Sequence, residues 1–138
     1  MTSATRIIAL RYTMIVFGVI YIVGIHTLIR LWPSGWSWGE AGSQYLTMML
    51  AVYATLGVFL ILGSRDPLAN RSLIWFTVWS NVAHSAVMTF QAITMPMETG
   101  HLLGDVPALL LLSAVLAILT PRQEKTATVT SLGTRRVA

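Results

Sequence analysis

Seven side chains of this sequence have the types and spacing to do chemistry: His26, Asn81, His84, Met88, Gln91, His101 and Asp105. Asn81, His84, Met88 and Gln91 are three, four and three residues apart, so on a helix they form one polar and soft stripe on an otherwise apolar cylinder. Such a stripe must face protein or water, because acyl chains would leave the amides and the imidazole unsatisfied, and the lipid-facing positions of this helix are expected to be Ile74, Val78 or Phe90 instead. His101 and Asp105 are four apart, which on a helix lets the carboxylate accept from the imidazole.

The pair falls short of a metal signature. A site needs at least three ligands, and the third would have to be His26, Glu98 or a methionine from Met48, Met49, Met88, Met95 and Met97. Met95-Pro96-Met97 close to two histidines suits monovalent copper, although methionine in an apolar core is also ordinary packing. Bis-histidine haem would need two imidazoles at similar depth on facing helices, for which His26 and His101 are the candidates. His26, Arg30, Glu40, His101 and Asp105 could converge as an acid–base site, but each also serves as an interfacial anchor or helix-end partner. No Ser/His/Asp order, paired-carboxylate motif, phosphate loop or zinc-protease motif occurs. The residue pattern by itself therefore names no metal, no cofactor and no reaction.

The elements that must position these residues are set by hydropathy. The 138 residues are 55% hydrophobic and 10% charged, with a mean hydropathy of +0.70, values of a membrane protein rather than a soluble domain. The absence of cysteine excludes disulfides, thiolate metal sites and thiol nucleophiles. The basic residues stand in short clusters at the ends of apolar runs, which points to membrane topology and away from nucleic acid.

Four runs are long enough to cross a bilayer of roughly 30 Å, at about residues 12–31, 44–63, 73–95 and 101–120. The expected architecture is thus all-α: a single integral membrane four-helix bundle, up-down-up-down, with short connectors. The first run lacks a small-x-small cleavage site and is read as a retained span, not a signal peptide. Trp36 and Trp38 in the connector 33–43, and Trp75 and Trp79 at the start of the third run, read as aromatic belts. The fourth run is read as starting near Gly100 or His101, because a helix from Val106 would be only about 22 Å long. That start puts Asp105 one turn inside and makes Pro107 a kink. Residues 121–138 are polar and aperiodic, and are expected to be disordered.

Four spans place both termini on one side. With that side cytoplasmic, Arg6, Arg11, Arg65, Arg71, Arg122, Lys125, Arg135 and Arg136 lie inside, leaving Arg30 alone outside of the nine basic residues. A bacterial inner membrane fits this orientation. Glu40, Glu98, His101 and Asp105 then gather at the outer face. Gln91 and His26 lie in the outer parts of their helices and His84 near mid-membrane, too deep to share one ligand atom with His101.

The segments 53–60, 71–80 and 100–112 resemble those of small bacterial four-span membrane proteins grouped as a domain of unknown function, and more loosely the DoxX-like membrane proteins. The resemblance implies fold and membrane location and assigns no residue a role. The expected function is to bind a small apolar ligand, a quinone or lipid, in the outer half, or to serve as an accessory subunit of a larger complex or homo-oligomer. The alternative is a membrane oxidoreductase or a copper- or haem-binding protein using His26, His101 and Asp105. Topology is directly testable: reporter fusions at Ser64 and Ala138 should both behave as cytoplasmic, and a periplasmic signal at either would reverse the orientation.

Overall fold

The computed structural model describes residues 2–38 and 43–122. Glu40 and the tail expected to be disordered beyond Arg122 lie outside the described residues. Within them every regular element is a helix. Four are long: α1 (Ser3–Leu31), α2 (Gln44–Gly63), α3 (Arg71–Thr94) and α4 (Asp105–Leu119). A one-turn helix, Pro33–Trp36, follows α1, and a 3₁₀ segment, Pro96–Leu102, leads into α4.

Local chemistry sets these boundaries. The Thr5 N–H donates to Thr2 Oγ1 at 3.3 Å and the Leu46 N–H to Ser43 Oγ at 3.1 Å, capping the starts of α1 and α2. Asp66 accepts the Ala69 N–H at 3.1 Å and holds the turn between α2 and α3 around Pro67. Pro96 ends α3, and the chain tightens into 3₁₀ turns instead of an α-helix.

The start of α4 corrects the expectation from length. The α-helix begins at Asp105, not near His101, and Pro107 sits in its first turn, where a missing N–H costs nothing. The cause is close backbone contact upstream. A Cβ on Gly100 would collide with the Ser34 carbonyl, and one on Gly104 with the Gly35 carbonyl, so the 3₁₀ segment seats the Pro33–Trp36 turn directly upon itself. The depth that a longer α-helix would have spanned is made up by this 3₁₀ segment.

Helix α1 contains a π turn at Ile20–Gly24. One extra residue in the turn rotates everything beyond it by about 100° relative to a regular helix. Before the turn, α1 meets α2 through glycine: a Cβ on Gly18 would stand 2.6 Å from the Gly57 carbonyl oxygen, and one on Gly57 2.6 Å from that of Gly18. Helix α3 packs most closely on α4, α1 also touches α4, and of the neighbouring pairs α2 and α3 meet least. Leu10, Met14, Leu60, Ile74, Val78, Leu109 and Leu116 form the core among them.

Ile74 and Val78 are a second correction, since the stripe argument assigns them to the lipid side. Both are buried, at 0% and 5% exposure, whereas Phe90 is exposed as expected. Ile74 precedes Asn81 by seven residues and Val78 by three, so both share the stripe's own face. The buried face of α3 runs through Ile74, Thr77, Val78, Asn81, Ser85, Met88 and Ala92.

At one end, the N-terminal part of α1 lies beside the C-termini of α2 and α4. Arg11 donates to the Ser64 and Arg65 carbonyls at 3.0 and 2.7 Å, and Arg6 to the Leu119 carbonyl at 3.1 Å and to that of Ile118. These guanidinium groups satisfy carbonyls that helix ends leave open and complement the negative end of each helix dipole.

Ser3–Leu31, Gln44–Gly63 and Pro96–Leu119 are long and apolar enough to cross a membrane. The outside of the bundle is correspondingly apolar, with Tyr12, Val16, Phe59, Phe76, Trp79, Phe90, Leu111 and Ile118 all exposed. The glycine contact is the tightest seam in this packing. Gly57→Leu should therefore cost about 1–3 kcal/mol by overpacking, read as a lowered melting temperature of the detergent-purified protein, while Val58→Leu on the exposed side should leave it unchanged.

Candidate functional site

Asp105, the first residue of α4, is only 5% exposed. Its Oδ2 accepts a hydrogen bond from Trp38 Nε1 at 3.0 Å and, across the 3₁₀ turn, lies 2.9 Å from His101 Nδ1, which donates to it in the tautomer that carries its proton there. The His101 and Asp105 side chains thus meet as their spacing predicts, although a tight turn rather than a continuous helix brings them together. His101 is fully buried. Trp38 covers it, the two rings stacking at a centroid distance of 3.9 Å and an angle of 25°. The other ring nitrogen, Nε2, faces Glu98 Oε2 at 3.2 Å, close but too oblique for a hydrogen bond.

The second oxygen of Asp105 has no partner. Oδ1 is buried, and Asp105 lies on the wall of a cavity of about 290 Å³. Ile25 and Ile29 of α1, Leu46, Met49 and Leu50 of α2, Val87 and Met88 of α3, and Leu109 of α4 supply the apolar lining. Trp36 and Trp38 close the connector end, and the polar positions are Tyr45, Tyr53, His84, Gln91 and Asp105.

Four of the seven candidates from sequence, His84, Met88, Gln91 and Asp105, therefore share this cavity. Asn81 lies one layer behind it: its amide donates to the Tyr21 hydroxyl, Tyr21 packs on Tyr53 at 5.3 Å, and Tyr53 meets His84 edge-on at 5.7 Å. His101 reaches the cavity only through Asp105. His84 of α3 and Asp105 of α4 line the same cavity.

His26 is not brought to this site. It is exposed, and the π turn presents Ile25 and Ile29 to the cavity instead. The metal and haem geometries lose their first two ligands here, since His26 points elsewhere and both nitrogens of His101 face carboxylate oxygens. No cluster of three or more His, Cys, Asp or Glu side chains able to hold a metal occurs among the described residues.

Sequence reasoning missed Trp38, Tyr53 and Tyr21 as site residues. Trp38 carries the signal of any interfacial tryptophan, and only folding shows that its indole turns inward. Tyr21 and Tyr53 did carry a usable signal: a tyrosine in mid-span brings a hydroxyl that needs a partner.

The fold and the site define an all-helical bundle with membrane-length apolar helices and a buried carboxylate–imidazole–indole cluster beside an apolar cavity. The chain belongs to a family of unknown function (DUF6632), whose model matches residues 4–135. Neither curated proteins nor solved structures give a match.

The indole N–H is one of the two donors on a buried carboxylate, a contact worth about 1.5–3 kcal/mol. Trp38→Phe should therefore lower the melting temperature of the purified protein while keeping the stacking surface. Trp79→Phe, at an exposed position, should leave it unchanged.

Proposed function

We propose that this chain is an integral inner-membrane protein of four spans, up-down-up-down, with both termini cytoplasmic. Its outer-half cavity binds a small apolar ligand carrying a polar head, a quinone or a lipid, by itself or as an accessory subunit. Alternation of the four long helices, the arginines gathered at the α1 N-terminal end and the apolar exterior support the topology. The likeness to DoxX-like proteins rests on sequence segments alone and adds no residue role.

The observation that carries the ligand reading is the buried Asp105 carboxylate, one oxygen of which has no side-chain partner, among the residues lining a largely apolar cavity of about 290 Å³. Ligand pockets have this composition, apolar walls with a few placed polar groups, and begin at about 300 Å³. Asp105 can accept from a ligand hydroxyl, while Tyr53, His84 and Gln91 can donate to a carbonyl. The alternative, an oxidoreductase or metal protein built on His26, His101 and Asp105, has less support because those residues present no shared ligand face.

A decyl-chain benzoquinone and its hydroquinone are suitable probes, because Trp36 and Trp38, which line the cavity, report binding by fluorescence quenching. Saturable quenching by either form is expected, weakened about tenfold or more by Asp105→Asn for the hydroquinone, in line with loss of a hydrogen bond to a charged group. Asn at this position keeps the shape and suits a helix start, so the fold should persist. Non-saturable quenching, or equal affinity in both proteins, would overturn the reading.

A further inference from the structure

The Asp105 cluster is more elaborate than holding a ligand requires. A carboxylate that only accepted a hydrogen bond from a bound hydroxyl could be steadied by Trp38 alone. Here a second carboxylate and an imidazole stand behind it in line. Glu98, whose side chain is 23% exposed, lies at the surface; its Oε2 is 3.2 Å from His101 Nε2. On the opposite edge of the same ring, Nδ1 is 2.9 Å from Asp105 Oδ2. Asp105, whose Oδ1 is buried and without a side-chain partner, ends the series and is one of the residues lining the cavity. His101 itself is shut off from solvent, with Trp38 stacked on its face.

From this geometry we infer that Glu98, His101 and Asp105 form a proton relay joining the surface of the bundle to the cavity. The relay serves a ligand whose hydroxyl is acidic enough to give up its proton on binding, a phenol or enol. The O–H bond of the ligand breaks and a proton settles on Asp105 Oδ1. In the His101 tautomer that carries its proton on Nε2 and leaves Nδ1 bare, the carboxyl group turns, its proton passes to Nδ1, and Nε2 gives its own proton to Glu98 once that oblique 3.2 Å contact aligns; Glu98 then releases it to water. One proton leaves when the ligand is taken up and one returns along the reverse path when it leaves, so no oxidant or reductant enters the balance. Imidazole suits the middle position because its two nitrogens exchange acid and base roles.

Among the described residues the other titratable groups on the cavity are Tyr45 and Tyr53 of α2 and His84 of α3, beside the uncharged Gln91, and none of them is hydrogen-bonded to Asp105; α1 contributes Ile25 and Ile29 there. Trp38 donates its N–H but cannot relay a proton. In the proposed topology the Glu98 end is the outer side, so the relay would connect the cavity to that side alone.

The test needs no ligand and so is independent of quinone binding. The full chain in lipid nanodiscs is subjected to a pH jump, and the infrared carboxyl band that disappears in Asp105→Asn is followed in time. Glu98→Gln, a partly exposed change with little reason to disturb folding, should slow this band at least tenfold. His101→Ala should slow it similarly, and added imidazole should restore the rate by filling the space under Trp38. An unchanged rate in Glu98→Gln would show that water reaches Asp105 directly and would overturn the relay, as would the lack of any band that Asp105→Asn removes.

Discussion

The arrangement of the connector end depends on keeping one carboxylate out of water. An ionised side chain in an apolar bundle is tolerated only when hydrogen bonds and opposing partial charges replace its hydration. Asp105 receives these from three directions. It opens α4, where the first-turn N–H groups and the positive end of the helix dipole favour an anion. His101 reaches it across the 3₁₀ turn, and Trp38 from the connector after α1. Each donor imposes a demand on the chain. The indole can arrive only if the Pro33–Trp36 turn lies flat on the 3₁₀ segment, which requires glycine at positions 100 and 104. The imidazole can arrive only if α3 stops at Pro96 and the chain tightens before α4 begins.

That supply is incomplete in an informative way. Oδ2 has two donors and Oδ1 has none, although a buried polar atom without a partner costs about 1–3 kcal/mol. A carboxylate whose only task was to cap α4 would gain by pointing both oxygens at backbone N–H groups. Asp105 instead leaves one buried oxygen without a side-chain partner in a residue that lines the cavity.

How much of this was legible follows from which physical signal each feature carries. Long apolar runs and the i, i+4 relation are local, so the helices α1 to α4 and the His101–Asp105 contact are visible in the sequence. The position of His26 was not, because a π turn leaves no pattern in an apolar run and yet rotates everything after it. Ile74 and Val78 were misassigned although the required information was present: their offsets from Asn81 place them on the buried face. The start of α4 was misjudged because span length was weighed above Gly100 and Gly104, whose role appears only when the connector lies against them. Trp38 depends on the same tertiary contact, so no reading of the connector alone could have turned its indole inward.

The two ends of the bundle divide stability from chemistry. Arg6 and Arg11 tie the N-terminal end of α1 to the final carbonyls of α4 and α2, and the Gly18–Gly57 contact locks α1 to α2 nearby. Nothing comparable joins α2 to α3, which meet least of the neighbouring pairs. The cavity takes its walls from both of these helices, and an open apolar groove lined by Val52, Leu56, Phe59, Leu73 and Phe76 follows the same seam toward the other end. Close packing along this seam would have filled the space with side chains and left His84 and Gln91 without room for a partner. Because α1 and α4 are clamped to their neighbours, the bundle can leave α2 and α3 apart without losing its core, and the polar side chains of α3 face a chamber instead of a packed interface.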